Sequence, residues 1–360
     1  MALTPRQTLA TTLVVAALLA TAGGFWLLRP AVALTGPAPA AIAPADAQTT
    51  AIVAAATGFM ATLDDTQRDT VQYDWGDTTQ RTNWSNLPID MVPRGGLAWG
   101  DMTDVQRAGV TALLATVLSP DGMLMVQHQM AADQFLADNP EGGPNLTFGA
   151  AHYYISFLGE PSETTLWTLQ FGGHHLAINA TIAGADVTLA PSLTGGQPLR
   201  LTIDGSEVWI VEAEVTAAQA LIESLTETQR TTVVQAETPI DLVLGPGEDG
   251  KSADPAGLPG SAMTPAQKDL FRALITTRLG LLNADDQAAA LAAQERTLDQ
   301  TFFGFWGDVA DVSNAYWRVT GPGVVSEFSG QDMGGSRADH AHNMWRVPGN
   351  DYGALWAAAE

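Results

Sequence analysis

"DMTDVQRAGVTALLATVL", residues 101–118, returns as "AMTPAQKDLFRALITTRL" at residues 262–279. Thr103 and Thr264 read as N-caps, because a hydroxyl there accepts a hydrogen bond from the first helical turn. Gln106 and Gln267, three residues on, complete a capping box. Leucine and alanine then recur at helical spacing. A second pair, "LDDTQRDTVQ" at 63–72 and "LTETQRTTVVQ" at 225–235, keeps the same order. The copies begin 161 and 162 residues apart, so order and spacing are both kept. Each half thus starts with two helices, and each also carries a hairpin. "LWTLQFGGHHLAINATI" (166–182) reads as strand, double glycine, strand; "YWRVTGPGVVSEFSG" (316–330) reads as strand, Gly-Pro-Gly, strand. Glycine supplies the positive φ that such turns need. The expected architecture is α+β: internally duplicated helix-helix-hairpin halves, about 48–215 and 216–360, around a pseudo-twofold axis in a single domain. The interface of the halves is then the natural place for a cleft.

Composition narrows the functions. Asp and Glu number 39 against 16 Lys and Arg, for a formal net charge of −23. Such a surface repels phosphate backbones, which argues against a nucleic-acid partner. The chain has no cysteine, which excludes disulfides, thiolate metal sites and cysteine nucleophiles. No G-x-S-x-G elbow is present.

The N-terminus reads as a targeting segment. Arg6 precedes an uncharged apolar run from Leu9 to Leu28, the pattern of an export signal and nearly long enough to span a bilayer. Residues 1–29 are expected to be a signal peptide or membrane anchor. Residues 30–47 are a Pro/Ala-rich linker. The small-x-small triplets Ala31-Val32-Ala33 and Ala45-Asp46-Ala47 are both candidate cleavage sites. Any membrane contact is through this segment, and the domain from residue 48 is exported.

The six histidines concentrate the chemistry. On an extended strand alternate residues share a face. His174 then lies with Leu176 and Ile178 toward the core, while His175 lies with Ala177, Asn179 and Thr181 on a polar face. His340 and His342 form His-x-His, whose rings point the same way if the segment is extended. Three imidazoles with Glu327 or Asp351 make a site for a divalent transition metal, zinc foremost, with a position open for water or substrate. His174 is the fallback ligand. A structural reading of the same residues pairs Glu327 with Arg318 across its hairpin, uses His340 and His342 to tie down a closing loop, and makes Asp351 a turn residue.

Taken together, "NWSNLP" (83–88), "YYISFLGEPSETTLW" (153–167), "GHHLAIN" (173–179), "YWRVTGPGVVSEF" (316–328), "DHAHNMWR" (339–346) and "NDYG" (350–353) resemble the family called domain of unknown function 3500. The resemblance covers about residues 55–355. It implies that His174, His175, Asn179, Glu327, His340, His342, Arg346 and Asp351 are pattern positions, and it implies no activity. The chain departs from the pattern at Val347, where an acidic residue usually follows the late arginine, and in "ALWAAAE", where a further histidine is usual. "QPLRLTIDGSEVWIVEAEV" (197–215) reads as an inserted or replaced β-hairpin.

The expected function is an exported metal-dependent enzyme, a hydrolase, acting on a small-molecule substrate. His175, His340 and His342 hold the metal, Glu327 is a ligand or general base, and Arg346 and Asn179 orient substrate or stabilise an oxyanion. The alternatives are a non-catalytic exported protein that binds a ligand or metal, and a structural role for both histidine motifs.

Overall fold

The structure, a computed structural model, describes residues 40–139, 146–332 and 339–358. The apolar run 9–28 lies outside them. Among the described residues no helix is long and apolar enough to cross a membrane.

The first half runs α1 (Ala47–Met60), α2 (Asp65–Val71), β1 (Gln72–Tyr73), α3 (Thr78–Arg81), β2 (Leu97–Ala98), α4 (Asp104–Val117) and α5 (Pro120–Asp138), then β3 (Tyr154–Leu158), β4 (Trp167–Gly173), β5 (Leu176–Ala183), β6 (Asp186–Thr188) and β7 (Ser192–Gly196). A separate hairpin follows, β8 (Arg200–Ile203) and β9 (Ser206–Trp209). The second half runs α6 (Glu212–Ser224), α7 (Glu227–Val233), β10 (Val234–Ala236), β11 (Leu258–Pro259), α8 (Pro265–Leu279) and α9 (Ala284–Glu295), then β12 (Phe302–Trp306), β13 (Tyr316–Gly321), β14 (Val324–Gly330), β15 (Ala341–Arg346) and α10 (Ala354–Ala357).

The helix starts follow the expected capping chemistry. Thr103 and Thr264 each accept from the backbone N–H of the glutamine three residues on, and that glutamine's side chain accepts from the cap's own N–H. Asp64 and Thr226 close the same box with Gln67 and Gln229. The boxes are also tied to one another. Gln106 Nε2 donates to Gln67 Oε1 (2.7 Å), and Gln267 Nε2 donates to Gln229 Oε1 (2.9 Å). Asp204 and Gly205 turn the β8–β9 hairpin with φ of +50° and +81°, as expected of an Asp-Gly turn.

The strands form a mixed thirteen-stranded sheet with the path β1-β3-β4-β5-β7-β15-β14-β13-β12-β10. Both ends are parallel pairs, β1 with β3 and β10 with β12; β2 and β11 add antiparallel to β3 and β12. In the middle β7 and β15 run antiparallel. One face carries Ile155, Phe157, Leu169, Ile178, Phe303, Trp317 and Phe328 into a core shared with α1, α4, α6 and α8. The alternate residues, among them Ser156, Gln170, Asn179, Arg318, Glu327, His342 and Arg346, face the other way. They are buried all the same, because the loops at 74–96 and 237–257 cover that face.

Residues 40–46, at the end of the Pro/Ala-rich segment, lie on the domain. Ala40 N donates to Leu355 O, and Ala40 and Ile42 pack on Leu166, Ala183 and Trp356. Gly184 (φ +58°) permits this, since a Cβ there would come within 1.7 Å of Ala43 O. Asp46 then caps α1 through Thr49 N (2.8 Å).

Replacing either Thr103 or Thr264 by alanine should cost about 1 kcal/mol, because each leaves a first-turn N–H without its acceptor. Denaturant midpoints at constant m-value measure this, and an unchanged midpoint for either variant contradicts the capping role.

Candidate metal centre

The double glycine does not form the first hairpin's turn. Gly172 and Gly173 end β4 in register with Ala177 and Leu176, so His174 and His175 are the two turn residues. The glycines are needed for close approach. A Cβ on Gly172 would lie 2.2 Å from Leu176 O, and one on Gly173 would lie 2.7 Å from His152 O. The turn is thereby displaced two residues along the chain. His175 takes φ +60°, a left-handed conformation uncommon outside glycine. Such conformations persist where the surroundings enforce them and cluster at functional sites. Here Tyr153 Oη donates to His174 O (2.8 Å), and Arg94 Nη2 donates to Gly173 O (3.3 Å). Arg94 also donates to Ser85 O and Leu87 O, lashing the "NWSNLP" segment to the turn. Burial pushes its guanidinium down to about 10.

The turn lies beside the centre of the sheet, because β5 pairs with β7 at Ala177 and Leu193. Beyond β7, His342 on β15 stands opposite Gly195. A side chain at Gly195 would crowd both Ala341 O (2.3 Å) and the His342 ring (3.2 Å). His340 immediately precedes β15. His175 Nε2 is 2.8 Å from His340 Nε2, and His340 Nε2 is 3.2 Å from His342 Nε2. One ring nitrogen from each of the three lies within 4.8 Å of the others, and all three residues are buried. This is a group that can hold a metal ion.

The donor set fits such an ion. Each neutral imidazole has one N–H and one lone pair. Three Nε2 atoms facing one another leave lone pairs that protons shared between rings satisfy only in part. A cation bound by all three lone pairs removes the mismatch between the Nε2 atoms; His340 Nδ1, buried without a partner among the described residues, is unaffected by it. Two zinc–imidazole bonds of about 2.0–2.1 Å at a tetrahedral angle separate their nitrogens by roughly 3.3 Å; the His340–His342 pair has that spacing, and the His175–His340 pair would open slightly to take an ion.

His174 belongs to the neighbourhood and not to the group. Its ring stacks on His175 (centroids 3.7 Å apart), and its Nδ1 is 2.7 Å from Asp133 Oδ1. Asp133 Oδ2 accepts from Gly149 N (2.9 Å). His174 Nε2 makes no hydrogen bond among the described residues. Sequence reasoning passed over Asp133 and Arg94. Asp133 had a signal: it follows Val126 and Gln129 at helical spacing on the buried face of α5, where an unpaired carboxylate is costly.

The other expected residues lie elsewhere. Both Glu327 oxygens are engaged, with Val243 N (2.8 Å) and Leu244 N (2.9 Å), and Tyr316 Oη donates to Oε1 (2.5 Å). Glu327 does face Arg318 across its hairpin, but no ion pair joins them; Arg318 reaches Thr320 Oγ1, Tyr316 Oη and Asp254 O. Asp351 accepts from Arg346 Nη1 (2.6 Å) and from Val347 N (3.1 Å). Arg346 also holds Asp249, Leu244 O and Gly245 O. Asn179 bridges Gln170 Nε2 and Pro191 O. These four residues tie the covering loops and strands to the sheet, and none joins the histidine group.

With this geometry in view, the comparisons with known proteins add one result. The model of the family "Protein of unknown function (DUF3500)" matches residues 45–354, and the chain belongs to that family. No curated protein matches the chain, and no solved structure does.

The three imidazoles are held neutral. Burial lowers His340 to about 4 and holds His175 and His342 well below the usual 6.5. In the unfolded chain these groups take up protons near 6.5, so below that pH the unfolded state binds more protons than the folded one. The metal-free protein should therefore lose stability as pH falls from 6.5 toward about 4, where His340 itself protonates in the folded state. The slope is at most ~1.4 kcal/mol per pH unit for each group, and His340→Gln should remove its share. Urea midpoints at stepped pH measure it, and a flat profile across that window contradicts it.

Proposed function

We propose that this protein is an exported metal-dependent hydrolase whose metal, zinc, is held by His175, His340 and His342. The observation that carries the reading is the convergence of three buried imidazole nitrogens from two distant segments onto one point. Three protein ligands are the number that catalytic zinc sites use, with the remaining position left to water or substrate. A metal so held supplies Lewis acidity and a nucleophilic water near neutral pH.

The chain's own residues supply the rest. His174, oriented by Asp133 through Nδ1, presents Nε2 as the proton acceptor beside the centre, the arrangement of a base held by a carboxylate. This replaces Glu327 in that role, since both Glu327 oxygens are bound to backbone N–H groups. The histidine set is of one chemical kind and suits zinc among other transition metals. Export rests on Arg6 and the apolar run 9–28.

The reading extends to the architecture. Two copies of a helix-helix-hairpin unit, related by a pseudo-twofold axis between β7 and β15, account for the matched capping boxes, the parallel strand at each end of the sheet and the two-residue turns of β4–β5 and β13–β14. Only the first copy carries histidines in its turn; the second has Pro322-Gly323. Matched costs for the Thr103→Ala and Thr264→Ala variants support equivalent positions, and a difference above about 1 kcal/mol speaks against them.

The purified full-length protein should contain about one zinc ion per chain and hydrolyse members of a panel of esters, amides and phosphoesters. His175→Ala, His340→Ala and His342→Ala should each lower metal content and activity together, whereas His128→Ala changes neither. Asp133→Asn should keep the metal and slow turnover by about 10²-fold or more. Both metal and activity belong in the fraction outside the cytoplasmic membrane; recovery in the cytoplasm removes export from the reading. A protein isolated without metal and indifferent to chelator and added zinc removes the enzyme.

A further inference from the structure

A cavity lies across the sheet from the histidines. Ser192 and Trp345 are paired between β7 and β15, and they face the helices, whereas His342 and Met344 face the opposite way. The cavity holds about 730 Å³ between α8, α9, β6, the central strands and the C-terminal turn. That is the size of a small-molecule pocket. Its walls are largely apolar, with Leu279, Leu282, Ala290, Ala293, Trp345 and Trp356.

The polar groups that line it are unevenly satisfied. Arg278, in the last turn of α8, is buried. Its Nη1 donates to Thr194 Oγ1 and is ion-paired with the buried Glu214, 3.6 Å from Oε1. Its Nε and Nη2 have no partner. Those two nitrogens form one edge of the guanidinium, the edge that takes both oxygens of a carboxylate. Gln294 Oε1 also lacks a partner, while its Nε2 holds Gly323 O (2.8 Å). Glu214 balances the charge, but two buried N–H donors without acceptors are costly, and a ligand's acceptor oxygens relieve that cost.

We propose that this cavity binds an organic acid with an apolar body, its carboxylate on the Nε–Nη2 edge of Arg278 and its chain against the alanine face of α9. Asp186 and Asp286 also line the space, and they would favour a cation instead. The guanidinium edge decides against them in this account, because two unmet charged donors in one plane are specific for a carboxylate, whereas Asp286 is already held by Asn283 Nδ2 (2.6 Å). The site is independent of the metal centre.

Calorimetric titration of the full-length protein with decanoate, decan-1-ol and decylamine tests the proposal. Decanoate should saturate at one molecule per chain, tighter than the alcohol, and the amine should bind weakest. Arg278→Gln should weaken decanoate by about tenfold or more. Ala293→Trp, which fills the cavity from a partly exposed helix position, should abolish binding. Binding should persist after chelator treatment, which separates this site from the histidines. Failure of decanoate to saturate, tighter binding of the amine, or undiminished binding by Ala293→Trp overturns the proposal. Should Arg278→Gln fail to fold, the Ala293→Trp and amine comparisons decide it alone.

Discussion

The antiparallel pairing of β7 with β15 is the constraint on which the rest of the molecule depends. Five residue pairs, from Ser192–Trp345 to Gly196–Ala341, join strands that lie about 150 residues apart in the chain. That one ladder makes a single sheet from the two sets of strands. It also carries His342 to within reach of a turn that the first half builds for other local reasons. Gly195 lets the two backbones and the His342 ring close up. Without this ladder the His-His turn and the His-x-His segment are two unrelated polar loops.

The polar face of the sheet shows how a fold maintains such a site. Most sheets with one wet face leave its side chains in water. Here two loops cover that face, and buried polar groups must then find partners. Glu327, Arg346, Asn179 and Gln170 find theirs in loop backbone and in one another, so that face is knitted to its cover. The histidine group is arranged differently: its Nε2 atoms face one another. That is a mismatch among three good ligands which a bound ion can resolve.

Much of the helical plan was legible in the sequence, because capping is local. A threonine and a glutamine three residues apart decide a helix start almost unaided, and Thr103 and Thr264 did so. The β8–β9 hairpin within 197–215 was legible too. The histidine turn was not. Glycine pairs usually mark turns, but Gly172 and Gly173 serve close packing against His152 and Leu176, a tertiary demand that strand periodicity does not record. The association of His175 with His340 and His342 was nevertheless readable, since both segments belong to the family's pattern. The places of Glu327 and Asp351 were not readable: a carboxylate near histidines in sequence fits a ligand and a loop anchor equally well. Their partners, Val243, Leu244 and Arg346, lie on loops without periodicity. The contacts of residues 40–46 were not readable for a similar reason, as they are with Trp356 and Leu166, far along the chain.

The central claim is that His175, His340 and His342 bind one metal ion together. X-ray absorption at the zinc edge of the full-length protein measures this at the atom concerned. The account predicts three imidazole nitrogens at about 2.0–2.1 Å with the multiple-scattering pattern of histidine rings, and one or two lighter oxygen scatterers in the remaining positions. A shell of six oxygens, the environment of zinc held loosely on an acidic surface, would contradict it.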